Sequence, residues 1–270
     1  MPHADPDLAA TFRGLHRPGD PILLANAWDA GSARVIERCG ARAIATTSAA
    51  LAWSHGYPDG DALPDHVLAV AVAEIARVLT VPLSVDAEGG YSTDPAAIAT
   101  TITTLLDAGA VGVNLEDGSG GSDLLAAKIE VARGVAVRAG VDLFINARTD
   151  VYLRGLVPPA EAVAETVARA NRYRDAGCDG LFVPAAVDPD DIRAIVDGTD
   201  LPVNMLIVPG LPTVAELRRL GVARVSAGSG IGQAAIGLIE GAATEFFEDG
   251  TYETMLQRST SYASVNALFE

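Results

Sequence analysis

Two acids spaced two apart, Asp86 and Glu88, close the apolar run Leu83-Ser84-Val85 and are followed by Gly89-Gly90-Tyr91. Side chains two apart on a strand share a face, so both carboxylates aim at one spot where the strand stops. Like charges gathered there repel unless a cation or a proton is shared between them. A second apolar run ends in Asn114-Leu115-Glu116-Asp117, and a loop supplies Asp59. Such oxygen donors suit a hard divalent ion, Mg²⁺ or Mn²⁺. Magnesium keeps several waters, so one or two acids suffice as direct ligands. Asp59, Asp86, Glu88 and Glu116 are therefore the candidate metal residues. A third run ends in Asn146-Ala147-Arg148-Thr149-Asp150, and Arg148 is the natural two-pronged partner of a substrate carboxylate or phosphonate. Metal and arginine together would hold a 2-oxo acid and stabilise the enolate formed when a bond at the adjacent carbon breaks.

Other readings of single residues are plainer. Asp94 and Asp188 precede helix-forming segments and read as caps. His55 reads as a solvated loop histidine and His66 as a helix residue. Gly228-Ser229-Gly230 fits a phosphate cradle or, equally, a tight strand-to-helix turn. Trp53 and Tyr91 read as pocket wall.

The elements that must position these groups alternate regularly. Strand-like runs fall near 21–25, 42–47, 81–86, 110–115, 142–147, 179–183, 202–208 and 223–227. Segments with apolar residues at helical spacing fall near 29–39, 65–79, 94–108, 122–139, 159–176, 188–197, 213–220 and 231–247. Eight strand–helix units in 270 residues predict a (β/α)8 TIM barrel. The rival open sheet lacks a Gly-x-Gly-x-x-Gly after its first strand. One domain is expected over 1–270, with 251–270 an appended helical tail whose apolar residues pack on a neighbouring subunit or on their own barrel. A barrel places its active site at the C-terminal strand ends, where the acids and Arg148 lie. Trp28 after the first strand and Asn204 at the seventh join the candidate substrate-binding residues.

Composition bounds the partners. A formal charge of −16 disfavours nucleic acid and anionic membranes. No long apolar segment is present, and Cys39 and Cys178 lack metal-ligand spacing and read as buried thiols of a cytoplasmic protein.

Taken in order, Thr47-Ser48-Ala49 with Gly56-Tyr57-Pro58-Asp59, Val85 to Tyr91, Asn114 to Asp117 and Asn146 to Asp150 resemble the isocitrate lyase/phosphoenolpyruvate mutase superfamily over most of residues 20–235. The resemblance implies a (β/α)8 barrel, an Mg²⁺ site, and cleavage or formation of C–C or P–C bonds in small anionic 2-oxo acids. It also implies a homodimer or homotetramer that exchanges a C-terminal helix. It makes Asp86 the direct metal ligand and Asp59, Glu88 and Glu116 acids acting mostly through water. Arg148 becomes the substrate-binding arginine, and Ser48 and Ala49 the loop whose backbone N–H groups hold the substrate carboxylate.

The departures are equally specific. Glu116-Asp117 runs into Gly118-Ser119-Gly120-Gly121-Ser122, with no Cys, His or Lys before Lys128. The lyase branch's cysteine loop and the mutase branch's lysine are both missing. Glu88 stands where many members have Asp, and Val183-Pro184-Ala185 where some place a histidine. The expected chemistry is therefore a C–C lyase needing little beyond enolate stabilisation, such as oxaloacetate decarboxylation or 2-methylisocitrate cleavage. Arg148 and Glu116 would act at the substrate, with water or Tyr57 handling the proton. A C–P mutase or hydrolase, or a non-catalytic ligand-binding barrel, is the alternative.

Overall fold

The computed structural model describes residues 3–270. Nine parallel strands form one sheet: β1 (Ile22–Leu24), β2 (Asn26–Ala27), β3 (Ile44–Thr46), β4 (Leu83–Asp86), β5 (Gly112–Glu116), β6 (Phe144–Arg148), β7 (Gly180–Val183), β8 (Val203–Leu206) and β9 (Arg224–Ser226). The order is β1-β9-β8-β7-β6-β5-β4-β3-β2. β1 and β2 are two halves of one barrel strand, broken at Ala25. β1 pairs with β9 and β2 with β3, which closes the ring into the expected (β/α)8 barrel.

Helices ring the barrel where apolar periodicity places them, as at Asp65–Val78, Ser122–Ala139 and Pro189–Asp197. Their starts are chemically marked. Asp94 and Asp188 accept from Ala96 N at 2.9 Å and Asp190 N at 2.8 Å, as capping residues do. Three helices were not anticipated: Pro6–Gly14, Ser48–Ser54 and Val151–Arg154. Pro6–Gly14 plugs the N-terminal barrel mouth. Its Phe12 is fully buried and meets Phe144 edge-on, with ring centroids 5.6 Å apart. Gly112 keeps room for that ring, since a Cβ there would lie 2.5 Å from Phe12 Cε1.

Cys178 is buried as expected, but Cys39 is exposed, because it follows the last turn of helix Ala30–Arg38 at its open end. The segment Gly230–Thr244 is helical, followed by a π turn over Glu245–Asp249 and short helices Glu253–Arg258 and Tyr262–Asn266. Many of its apolar residues face outward, including Ile239 and Phe247. Leu23, on the outer face of β1, is 53% exposed, and beside it Pro21, Val35, Cys39 and Ile231 line an open groove of about 640 Å³. No helix among the described residues is long and apolar enough to cross a membrane.

Candidate active site

Two adjoining cavities open at the C-terminal strand ends. The smaller, about 310 Å³, is lined by Ser48, Ala49, Asp59, Asp86, Asn114 and Arg148 and closed on the far side by Leu206, Ser226 and Gly228. The larger, about 750 Å³, is lined by Asp61, Glu88, Tyr91, Glu116, Lys128 and Arg154, with Gly118 to Gly121 forming one wall. Glu116 and Arg148 are in register across β5 and β6. Their side chains pair at 2.6 Å, so this ion pair stands between the two spaces.

Asp86 ends β4. Its backbone N–H donates to Thr46 Oγ1 at 2.9 Å, and its Oδ2 accepts from Ser48 Oγ at 2.9 Å and Ser48 N at 3.3 Å. Ser48 opens the helix Ser48–Ser54, and Thr47 before it supplies no side-chain cap. The first N–H groups of that helix therefore lie beside the acid and lend it positive character. Asp86 Oδ1 makes no hydrogen bond among the described residues, and Asp86 lines the smaller cavity.

Arg148 is fixed from two sides. It pairs with Glu116, donates from Nε to Asp150 Oδ1 at 2.7 Å and from Nη2 to Asp150 Oδ2 at 3.1 Å. Asp150 is sealed from solvent and also receives Arg154 Nε at 2.9 Å. Burial pushes the Glu116 carboxyl up to about 8; Arg148 pulls it back, while Asp86, Asp150 and Glu88 push it further up. Burial likewise raises Glu88, with Asp61 and Asp86 adding to the shift.

Glu88 is held away from the smaller cavity. Tyr91 Oη donates to its Oε1 at 3.1 Å and Asp61 N donates to its Oε2. Three non-glycine residues in this small cluster adopt left-handed backbone: Asp61 at φ 55°, Glu88 at 49° and Tyr91 at 59°. Such conformations are unfavourable for ordinary residues and survive where the surroundings enforce them. Asp61 also accepts from Tyr91 N at 3.3 Å, which makes it a structural member of the site that the sequence did not reveal. Asp117, next to Glu116, turns away, receiving Asp150 N at 2.9 Å, Arg169 Nη1 at 2.7 Å and Tyr173 Oη at 2.6 Å.

The structure thus brings Ser48, Ala49, Asp59, Asp86 and Arg148 around one space and puts Glu88 and Glu116 in the next. Among the described residues no three His, Cys, Asp or Glu side chains form a direct chelating group. The donor set nevertheless fits Mg²⁺, which needs only one or two carboxylates and prefers water for the rest. Asp86 offers the free oxygen, and burial, with the neighbouring carboxylates adding, raises Glu116 and Glu88 beside it. Three expected residues are not brought in. Tyr57 is exposed and lines neither cavity, because its loop stays outside after helix Ser48–Ser54 ends. Trp28 leans on Gly232, and Asn204 is buried beneath the cavity, accepting from Ser226 Oγ at 3.1 Å. Gly228 lines the cavity as a turn, its N–H donating to Asn26 Oδ1 at 2.9 Å with φ at 57°.

A family model described as phosphoenolpyruvate phosphomutase matches residues 12–247, and the chain belongs to this family of the isocitrate lyase/phosphoenolpyruvate mutase superfamily. That superfamily holds carbon–carbon lyases and mutases. An uncharacterised Mycobacterium tuberculosis protein is 42% identical over 81% of this chain and 82% of its own length. The 2-methylisocitrate lyase of Escherichia coli is 27% identical over 94% of this chain and 91% of its length. The oxaloacetate decarboxylase of Paraburkholderia xenovorans is 30% identical over 70% and 65%. The crystal structure of a candidate phosphonomutase from Burkholderia cenocepacia superposes with a TM-score of 0.85 at 41% identity, covering 89% of this chain and 98% of that one. A phosphonopyruvate hydrolase bound to oxalate and Mg²⁺ shares the fold at a TM-score of 0.84 and 22% identity, covering 97% of this chain and 94% of that one.

Proposed function

We propose that the protein is an Mg²⁺-dependent lyase that cleaves a C–C bond in a small 2-oxo or 2-hydroxy dicarboxylate by way of an enolate. One observation carries the reading: Asp86, whose Oδ1 has no partner among the described residues, lines the 310 Å³ cavity together with Arg148, Ser48 and Ala49. When bound, Mg²⁺ would supply Lewis-acid charge at the substrate carbonyl, held by Asp86 directly and by Asp59 through water. Glu116 stands at the boundary, and Glu88, already bound by Tyr91 and Asp61, is set back in the adjoining space. The chain's own groups do the remainder. Ala49 offers its backbone N–H to the substrate carboxylate, and the Ser48 N–H, 3.3 Å from Asp86 Oδ2, would be shared with it. Arg148, pinned by Glu116 and Asp150, meets the developing negative charge without having to reorient.

Among the described residues no acid or base side chain besides the crowded carboxylates reaches the cavity, and Tyr57 lies outside it. Water therefore supplies the proton to the enolate. A C–P substrate would call for more cations around its phosphonate than this cavity has, since among the described residues Arg148 is its one charged donor while Lys128 and Arg154 line the larger space. The outward apolar residues of Gly230–Thr244 and the uncovered groove at Leu23 support a homodimer or homotetramer in which the C-terminal helix crosses to a neighbouring copy.

Assays of pyruvate release from oxaloacetate and from 2-methylisocitrate, with and without Mg²⁺, test the activity. Metal-dependent turnover of either is expected, and the absence of both refutes the lyase reading. The relatives named as oxaloacetate decarboxylase and 2-methylisocitrate lyase make these the two first substrates to try.

A further inference from the structure

Asn114 lies on β5 two residues before Glu116 and lines the smaller cavity with Asp86, Ser48 and Arg148. Its Oδ1 accepts from Asn146 Nδ2 at 2.9 Å and from Arg224 Nη2 at 3.3 Å. Amide oxygen and nitrogen are ordinarily hard to tell apart. Here the neighbour decides, because a guanidinium has donors and no acceptor. The atom facing Arg224 must be the oxygen, so Nδ2 is turned the other way. Nδ2 makes no hydrogen bond among the described residues, and unlike Nδ2 of Asn204 it is not sealed inside the barrel.

Arg224 is the unusual partner in this arrangement. It is 1% exposed, at the heart of the barrel, with no carboxylate in ion-pair range among the described residues. Its Nε donates to Ser226 Oγ at 3.2 Å and its Nη1 has no partner. Burying a cation without a counter-ion is costly, and burial pulls this guanidinium down to about 9. What it contributes toward the cavity is the fixed amide of Asn114. A neutral donor suits this place, since it can bind an oxyanion without competing with a metal ion for the surrounding acids.

We propose that Asn114 is a substrate-binding residue whose Nδ2–H donates to an oxygen of the bound 2-oxo acid, and that Arg224 is the positioning residue that sets this amide. The inference rests on the enolate-lyase reading above. It is tested by calorimetric titration of oxalate into wild-type protein and variants at saturating Mg²⁺, well below the melting temperature. Asn114→Leu should weaken oxalate about tenfold, as loss of one hydrogen bond to a charged group does. Arg224→Met should weaken it several-fold alone and add nothing in the Asn114→Leu background. Asn114→Asp keeps an acceptor for Arg224 and Asn146, so its melting temperature should hold while oxalate binding falls at least as far as in Asn114→Leu.

Wild-type affinity in Asn114→Leu and Asn114→Asp would overturn the role of Asn114. Additive losses from Arg224→Met and Asn114→Leu would overturn the positioning role of Arg224, as would a lowered melting temperature with unchanged oxalate affinity. If wild-type protein fails to bind oxalate with Mg²⁺, the lyase reading falls and this inference with it. A failure confined to the variants leaves that reading standing.

Discussion

Glu116 and Arg148 face each other in register across β5 and β6 and pair at 2.6 Å, while the other edge of the same guanidinium grips the sealed Asp150. The cation is thus held by two carboxylates before any substrate arrives. Lysine carries the charge but not the fork. Arg148→Lys should lower kcat/KM about 10²- to 10³-fold, the loss expected for one preorganised charge donor. Steady-state kinetics on whichever substrate turns over checks this; a loss below threefold would remove Arg148 from the reacting centre.

Asp86 offers the free carboxylate oxygen of the cavity. With ligand at about a hundred times its Kd, binding to the folded state alone adds about 2.7 kcal/mol of stability. Wild-type protein should therefore melt several degrees higher with Mg²⁺ and oxalate together than with either alone. Asp86→Ala should abolish that increment. A shift that persists in the variant would place the metal elsewhere.

His16 lies at the floor of the barrel, its Nδ1 2.9 Å from Phe12 O and its ring stacked on Phe144 with centroids 3.9 Å apart. Burial first, and then the charge of Arg224, pulls its pKa down to about 3. In the unfolded chain a histidine titrates near 6.5. Between those values the unfolded state holds the extra proton, so its contribution to stability is complete above about pH 6.5. Below that it is lost at about 1.4 kcal/mol per pH unit until pH nears 3. Urea unfolding across this window should show the slope in wild type and a shallower one in His16→Phe.

Gly112 opens β5 directly against the ring of Phe12, with Ser84 Oγ 3.1 Å from where a Cβ would sit. Gly112→Ala should destabilise by about 1–3 kcal/mol, the usual cost of overpacking. Denaturant midpoints with an unchanged m-value would confirm it. A neutral outcome would mean that the helix Pro6–Gly14 seats loosely in the barrel mouth.

Ile239 is 67% exposed on the helix Gly230–Thr244. If that helix crosses to another copy, Ile239→Asp should shift sedimentation velocity toward monomer while the circular dichroism of the barrel stays the same. An unchanged sedimentation coefficient would rule out this face as the contact.

Much of the fold was legible because strands buried on both faces read as short apolar runs and end in the polar residues that do chemistry, as at Glu116 and Arg148. The caps at Asp94 and Asp188 were legible for a local reason, since each bonds a backbone N–H two residues on. Other features depend on distant partners. Arg224 sits at the start of a strand and carries a charge, which in a sequence suggests solvent, yet tertiary closure puts it in the barrel's centre. Asp61 matters through the bonds it makes with Glu88 and Tyr91 across 27 and 30 residues, and no spacing rule encodes such a loop. Helix Pro6–Gly14 was hidden because its role is to bury Phe12 against Phe144, a contact seen only in the closed ring.

The wall formed by Gly118 to Gly121 brings almost no side chain to the cavity it borders. In the lyase reading the enolate forms in the adjoining smaller cavity, so this wall hands it no proton donor, and solvent approaches from either face. Turnover of a 3-substituted oxaloacetate in heavy water should then label the new C–H position without stereochemical preference. Handedness in the product would reveal a proton donor that the glycine wall does not supply.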